Sequence, residues 1–199
     1  MSTNLKALID KLNDTSRHVL EAAAGLCVAR THYDIEIEHY LLKALDGSDN
    51  DVAAILKHFG VDRSRLTAEL ERSLDSLKTG NARSPAFSPT VVKMLAEAWT
   101  VASIDFDAGS VRTGFTLLAL LGNEDLARVT REVSKELQRI PPEGLRSDFY
   151  NIAGASKETE TPLGSSPGRG TGSAAGAEGT PLAGKGKTPH LDQIGRAHV

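Results

Sequence analysis

The sequence predicts an all-α domain made of two tandem, pseudo-twofold copies of a four-helix unit, followed by a disordered C-terminal linker. Three observations carry that expectation. Ile37, Leu41, Ala44 and Leu45 stand at i, i+4, i+7 and i+8, and Tyr40 and Leu42 widen the stripe until little of this helix faces water. A helix apolar almost all round belongs at the centre of a bundle. Phe115-Thr-Leu-Leu-Ala-Leu-Leu121 repeats Tyr40-Leu-Leu-Lys-Ala-Leu45 about 76 positions later, so the central helix occurs twice. No stretch alternates apolar and polar residues as a half-buried strand does.

Taken in order, Asn4 to Leu12 reads as a short amphipathic helix with Leu5, Leu8, Ile9 and Leu12 on one face. At about nine residues it is too short to be stable alone and must dock on something. Asn13 or Asp14 caps a helix running to about His32, whose Val19, Leu20, Ala23, Ala24, Gly25, Leu26 and Cys27 form a small-residue face for the Ile37–Leu45 helix. Asp46 to Asp49 is a turn, with Gly47 suited to C′ and Asp49 or Asn50 to the next N-cap. Val52, Ile55, Leu56 and Phe59 make a helix that stops at Gly60; Asp62 caps another carrying Leu66, Leu70, Leu74 and Leu77. Thr79 to Arg83 reads as a loop.

The second copy opens at Phe87-Ser88-Pro89, with Ser88 as N-cap, Pro89 at N1 and Phe87 placed to staple onto Val92. Val91, Met94, Leu95, Ala98 and Ala102 repeat the first copy's pattern, and Trp99 is expected in the core. Asp105 to Ser110 is a loop before the second central helix. Asn123 to Asp125 then cap a helix from Leu126 to Leu137, and Pro141-Pro142 break the chain before a last helix from Glu143 to about Ile152. The repeats thus cover about residues 4–78 and 84–152, inside a folded domain of residues 1–152.

Residues 153–190 read as a linker: their large aliphatics are Leu163 and Leu182, and they hold 9 of the 18 glycines. Such a stretch cannot bury enough surface to offset its ordering entropy. The folding part has 18 Lys and Arg against 22 Asp and Glu, a net charge of −4, which makes a poor nucleic-acid binder. No apolar run approaches the ~18 residues of a membrane span, no signal peptide opens the chain, and Cys27 is alone. A soluble cytoplasmic protein without an internal disulfide is expected.

No residue set reads as catalytic or metal-binding. His18, His32, His39 and His58 lack the spacing of a metal site, and a lone cysteine cannot seed one. Cys27 is expected in the core. Glu36 and Glu38 point apart at i, i+2 and favour the helix N-terminus instead. Gly179-Thr-Pro-Leu-Ala-Gly184-Lys185 begins like a phosphate-cradling loop, but Gly186 stands where Ser or Thr would hold magnesium, with no strand before it.

Two tandem four-helix units with these core helices resemble the double repeat of the Clp N-terminal domain. Glu36-Ile-Glu-His-Tyr-Leu-Leu42 stands where the family usually has Thr-Pro-Glu-His-Leu-Leu, so Glu36 and Ile37 replace the cap Thr and the N1 Pro. That form resembles the ClpV branch, the AAA+ ATPases of bacterial type VI secretion. So do Arg17-His-Val-Leu-Glu-Ala-Ala23, Phe59-Gly-Val-Asp-Arg-Ser-Arg-Leu66, Lys78-Thr-Gly-Asn-Ala-Arg83 and Ser103-Ile-Asp-Phe106. The resemblance implies a domain that selects substrate rather than a motor. Two ATPase modules, which bind ATP and Mg and drive hexamer assembly, would belong to a longer parent. This chain is expected to be monomeric, with no cofactor and no enzymatic activity. The implied partner is the N-terminal helix of the larger subunit of the type VI sheath, which the parent ATPase would disassemble after contraction. The alternative within the family is the N domain of a general disaggregase or unfoldase that takes adaptors or unfolded segments. Residues 191–199 read as the start of a missing ATPase module. Their last six, Ile194 to Val199, are similar to a translated sequencing adapter and are expected to be non-native.

A double repeat brings equivalent pieces near its axis, and Leu12-Asn13 is the counterpart of Phe87-Ser88. A groove is therefore expected between the first helix and the start of the second copy. Leu5, Leu8, Ile9 and Leu12 would line one side, and Phe87, Thr90, Val91 and Met94 the other. It would fit one apolar face of a partner helix, with Phe87 as anchor. The competing reading makes Phe87 a hydrophobic staple and the first helix a lid on the core.

Overall fold

The computed structural model describes residues 2–164, and its compact unit ends at Gly164. The expected linker beyond that point, the Lys185 loop and residues 191–199 lie outside the described residues. Ten α-helices run through the chain among the described residues. The first, α1 (Ser2–Asp10), precedes the repeats. The first repeat is α2 (Asp14–Ala29), α3 (Ile37–Leu45), α4 (Asp51–His58) and α5 (Arg63–Asp75). The second is α6 (Pro89–Thr100), α7 (Thr113–Gly122), α8 (Glu124–Val133) and the short α9 (Pro142–Ser147) and α10 (Phe149–Ile152).

The caps follow local chemistry. The side chains of Asn13, Asn50, Asp62, Ser88 and Asn123 each accept a backbone N–H three residues on, satisfying a donor that the first helical turn leaves free. At α3, where the resemblance lacks its usual cap, Glu36 stands at the N-cap, and His39 Nδ1 accepts the Glu36 N–H at 2.9 Å. This is the reciprocal logic of a capping box with imidazole in the place of a carboxylate.

Helices α3 and α7 form the middle of the molecule, with eight residues of each buried. α2 packs along α3, and α6 along α7. The two central helices meet where the Tyr40 hydroxyl and Thr116 Oγ1 share a hydrogen bond at 3.1 Å. Residues 40 and 116 are equivalent in the two repeats, so the pseudo-twofold axis passes close to this bond. α4 of the first repeat packs on α7 of the second, and Gly114 permits the approach: a Cβ there would sit 2.7 Å from the Phe149 ring and 2.9 Å from Asp51 Cβ.

The fold departs from the sequence reading in five places. Two two-residue strands, β1 (Asp34–Ile35) and β2 (Ala86–Phe87), pair in parallel, with Ile35 opposite Phe87. They are too short for any alternating pattern to mark them. α6 runs on into one π-helical turn, Val101–Asp105, which the periodicity did not mark, and the expected loop begins just after it. The Leu126–Leu137 helix ends at Val133, because Ser134 turns to donate to Glu69 of α5 at 2.5 Å, and a short 3-10 turn (Glu136–Arg139) follows. The last helix is broken at Asp148 into α9 and α10. Finally, ordered chain continues past residue 152: a strap of residues 156–162 lies against both repeats, held by Glu158, which is 9% exposed. Composition marks this stretch as linker, yet one buried carboxylate with several donors fixes it.

Candidate functional site

The segment before each repeat reaches across to the other. Leu12 pairs in parallel with Val111, just ahead of α7, while Phe87 pairs with Ile35, just ahead of α3. Leu12 and Phe87 are therefore equivalent in role, as the sequence suggested, and each meets the lead-in to the opposite central helix. Val111 N–H donates to Lys11 carbonyl at 2.7 Å, and Asn13 N–H donates to Val111 carbonyl at 2.9 Å, so the α1–α2 junction is clamped from both sides of Leu12.

The eight residues expected to line a groove divide by burial. Leu5, Leu8 and Ile9 are half-buried on α1, which packs on α6, and Leu12 is buried at its end. Phe87 and Thr90 are half-buried at the start of α6. Val91 and Met94 have no exposed surface; they belong to the core beneath α6 and cannot touch a ligand without rearrangement. Their positions at N3 and N6 of α6 face inward with Leu95 and Ala98, a face that the sequence showed but that the groove reading assigned outward. The end of α1 is fixed near the far end of α6, where the Lys11 ammonium sits 4.6 Å from the Trp99 ring centroid. Trp99 is half-buried there rather than fully in the core.

Two polar systems missed by sequence reasoning flank this region. The first is the inter-repeat clasp. Asp51, fully buried at the start of α4, takes a bidentate pair from Arg112 at 2.7 and 2.8 Å and accepts the Gly114 N–H at 3.3 Å. The Asp51 carboxylate raises the Arg112 guanidinium pKa, against the burial that opposes it. Glu158 from the strap accepts from Asn13 Nδ2, Asp51 N–H and Thr113 N–H, each at 2.9 Å, and from the Thr113 hydroxyl. One side chain thus reaches α2, α4 and α7 at their N-termini. The charges were visible in the sequence, but their separations of 61 and 145 residues gave no signal.

The second system is a buried histidine pair. His32 Nδ1 and His39 Nε2 lie 2.9 Å apart, with 3% and 0% exposure. Because His39 Nδ1 accepts the Glu36 N–H, its Nε2 carries the proton and donates to His32. Burial, reinforced by His32, lowers the His39 pKa to about 4, and burial likewise lowers that of His32. Cys27 packs beside them without exposed surface, and burial pushes its thiol up to about 11, so it is no nucleophile at neutral pH. Among the described residues no group of three or more His, Cys, Asp or Glu side chains is placed to hold a metal ion, and no helix is long and apolar enough to cross a membrane.

Among the described residues the arrangement brings together a half-buried apolar helix and a polar clasp. Residues 11–133 match the Clp repeat (R) N-terminal domain family. The chain is 30% identical over 177 residues to the AAA+ ATPase ClpV1 of Pseudomonas aeruginosa, and 33% identical over 159 residues to the chaperone protein ClpB of Yersinia enterocolitica. These matches take in 89% and 80% of this chain but only 19% and 18% of the relatives, so the chain spans about a fifth of their length. Among solved structures, the N-domain of ClpV from Vibrio cholerae superposes with a TM-score of 0.69 at 35% identity, covering 78% of this chain and 92% of that one. A ClpV N-domain in complex with a VipB peptide superposes with a TM-score of 0.67 at 33% identity, covering 78% and 94%.

Proposed function

Because the chain belongs to the Clp repeat N-terminal domain family, we propose that it is the substrate-recognition domain of a ClpV-type AAA+ ATPase. It binds an amphipathic helix from the N-terminus of the larger type VI sheath subunit, so that the parent ATPase can disassemble contracted sheaths in the cytoplasm. The observation that carries this reading is the match along nearly the full length of ClpV N-domains, one of them bound to a VipB peptide. The match falls on the N-terminal domain and not on an ATPase module; ATP and Mg would be bound by the parent alone. The isolated chain is monomeric, and hexamer assembly belongs to the parent.

The ligand helix lies beside α1. Leu5, Leu8 and Ile9 provide apolar contacts, Leu12 anchors the wall, and Phe87 and Thr90 form the opposite rim over Val91 and Met94. A second reading, the N domain of a general disaggregase that takes adaptors or unfolded segments, draws on the similarity to ClpB. Titration calorimetry separates the two. With the VipB peptide as probe, saturable binding that an unfolded model protein cannot match favours the sheath reading; the reverse preference favours the disaggregase. Leu8→Arg and Phe87→Arg locate the site. Lost binding with an intact thermal melt places it beside α1, intact binding moves it elsewhere, and a collapsed melt makes both residues structural.

A further inference from the structure

The strap is not needed to complete the helical repeats, yet it touches the junction that sets α1. Asn13 uses its side chain fully: Oδ1 accepts from Ser16 N–H at 2.8 Å as the α2 cap, and Nδ2 donates both to Glu158 Oε2 and to the Thr159 carbonyl, each at 2.9 Å. Glu158 also holds Thr113 through its N–H and hydroxyl, two residues beyond Val111, which pairs with Leu12. Both clamps on the α1–α2 junction therefore converge on one carboxylate. Further along, Gly109 N–H donates to the Thr161 carbonyl, Thr161 N–H donates to Ser110 Oγ at 3.0 Å, and Tyr150 hydroxyl donates to Glu160 at 2.9 Å. The strap is thus seated from Lys157, whose N–H donates to the Asp49 carbonyl at 2.7 Å, to Thr161.

Besides this junction, α1 is placed by its packing on α6 and by Lys11 over the Trp99 ring. It is nine residues long, too short to hold itself, and its apolar residues are only half-buried. We propose that Glu158 is a positioning residue for peptide recognition: the strap holds the α1–α2 junction, and through it the α1 wall, in the orientation that receives the partner helix. The inference rests on the recognition reading above and adds its regulation. Seating of the strap and peptide affinity are coupled, so displacing residues 156–162 loosens the grip, and bound peptide in turn favours the seated strap.

The test uses the full 199-residue chain and two variants. Glu158→Ala removes the carboxylate. Asn13→Ser keeps a good cap for α2 but deletes both bonds to the strap. Amide hydrogen exchange over residues 4–12 is measured without ligand, alongside Leu70→Ala, a core variant remote from α1. Exchange reports local opening separately from global stability. Both strap variants should speed exchange in α1 by about 5-fold or more, roughly the effect of one lost side-chain hydrogen bond, while Leu70→Ala leaves it unchanged. Both should also weaken VipB-peptide binding by about 5-fold or more, and Glu158→Gln, which keeps the acceptor oxygen, should recover part of the loss. Unchanged α1 exchange in the strap variants, or an equal rise in Leu70→Ala, overturns the proposal, as does full peptide affinity in Asn13→Ser. A wild-type chain that does not bind the VipB peptide sinks the recognition reading alone. The exchange comparison then still decides whether Glu158 positions α1.

Discussion

Arg112→Ala tests whether the two repeats are held together by the buried pair or merely packed beside each other. Arg112 is 7% exposed and Asp51 is fully buried, so water cannot replace what the arginine provides. Removing it leaves Asp51 with one bond from Gly114 N–H, at 3.3 Å, for a charge that had two short bidentate partners. Deleting one member of a buried pair typically costs about 3–5 kcal/mol, most of it the price of the charge left behind. For a domain of this size about 1 kcal/mol lowers Tm by roughly 2–4 °C, so the variant should melt at least about 6 °C below wild type. Asp51→Asn combined with Arg112→Ala removes both charges and should recover part of that loss, because the penalty lies in the orphaned carboxylate. Urea denaturation followed by circular dichroism gives all corners of the cycle. An Arg112→Ala midpoint within error of wild type, or a double variant as unstable as the sum of the singles, would refute the reasoning.

The central helices predict their own cost. Leu41→Ala and Leu118→Ala truncate side chains with 2% and 0% exposure, and each should remove about 2–5 kcal/mol; a thermal melt unchanged by either would contradict the assignment of α3 and α7 as the core. Deleting residues 165–199 should leave Tm nearly unchanged, whereas deleting 156–199 should lower it by several degrees; equal melts would mean the strap contributes nothing. Acid should weaken the fold through the histidine pair. His39 has a folded pKa of about 4 against an ordinary 6.5, so above pH 6.5 neither state is protonated. As pH falls from 6.5 toward 4, the unfolded chain takes up a proton that the folded chain refuses, and stability is lost. Over pH 6.5 to 5 the loss is on the order of 1–2 kcal/mol. A flat stability profile across that interval, or the same slope in His39→Gln, would show that the pair does not titrate as described. Phosphate release from ATP by the 199-residue chain should not exceed background, and activity abolished by Lys185→Ala would reverse that expectation.

The helices were legible because each is encoded locally. The stripe of Ile37, Leu41, Ala44 and Leu45 announces α3, and Asn13, Asp62 and Ser88 mark three starts through side chains that do cap. The duplication was legible because the same stripe returns at Phe115. What stayed hidden depends on residues far apart in the chain. Ser134 looks like one more helical position until Glu69 pulls it out of α8. Glu158, in a stretch whose composition resists folding, becomes ordered through partners near residues 13, 51 and 113. The groove reading erred on two residues for a related reason. Val91 and Met94 form one apolar face of α6, and amphipathicity says that such a face is covered without saying by what. The central helix α7 packs on α6 and Val91 and Met94 have no exposed surface, so that face is not open to a ligand.

The pseudo-twofold symmetry of the two copies is broken around their junctions. The exchange of lead-in segments is symmetric: Leu12 meets Val111, and Phe87 meets Ile35. The charges at the next turn are not. Asp51 at the start of α4 is buried against Arg112, while its counterpart Asp125 at the start of α8 is exposed and paired with Lys93 and Arg128. Those bonds to Lys93 lower the Asp125 pKa at the surface, but exposed pairs of this kind contribute little. Glu158 adds a second asymmetry by taking the Asp51 and Thr113 N–H groups. The segment before β2, residues 76–85, forms no helix, whereas the segment before Leu12 forms α1. An apolar helix standing before only one of two equivalent junctions has no symmetric copy, and the strap clamps that junction alone. The two additions to the duplicated core, α1 before it and residues 156–162 after it, therefore meet at the junction that Asn13 caps.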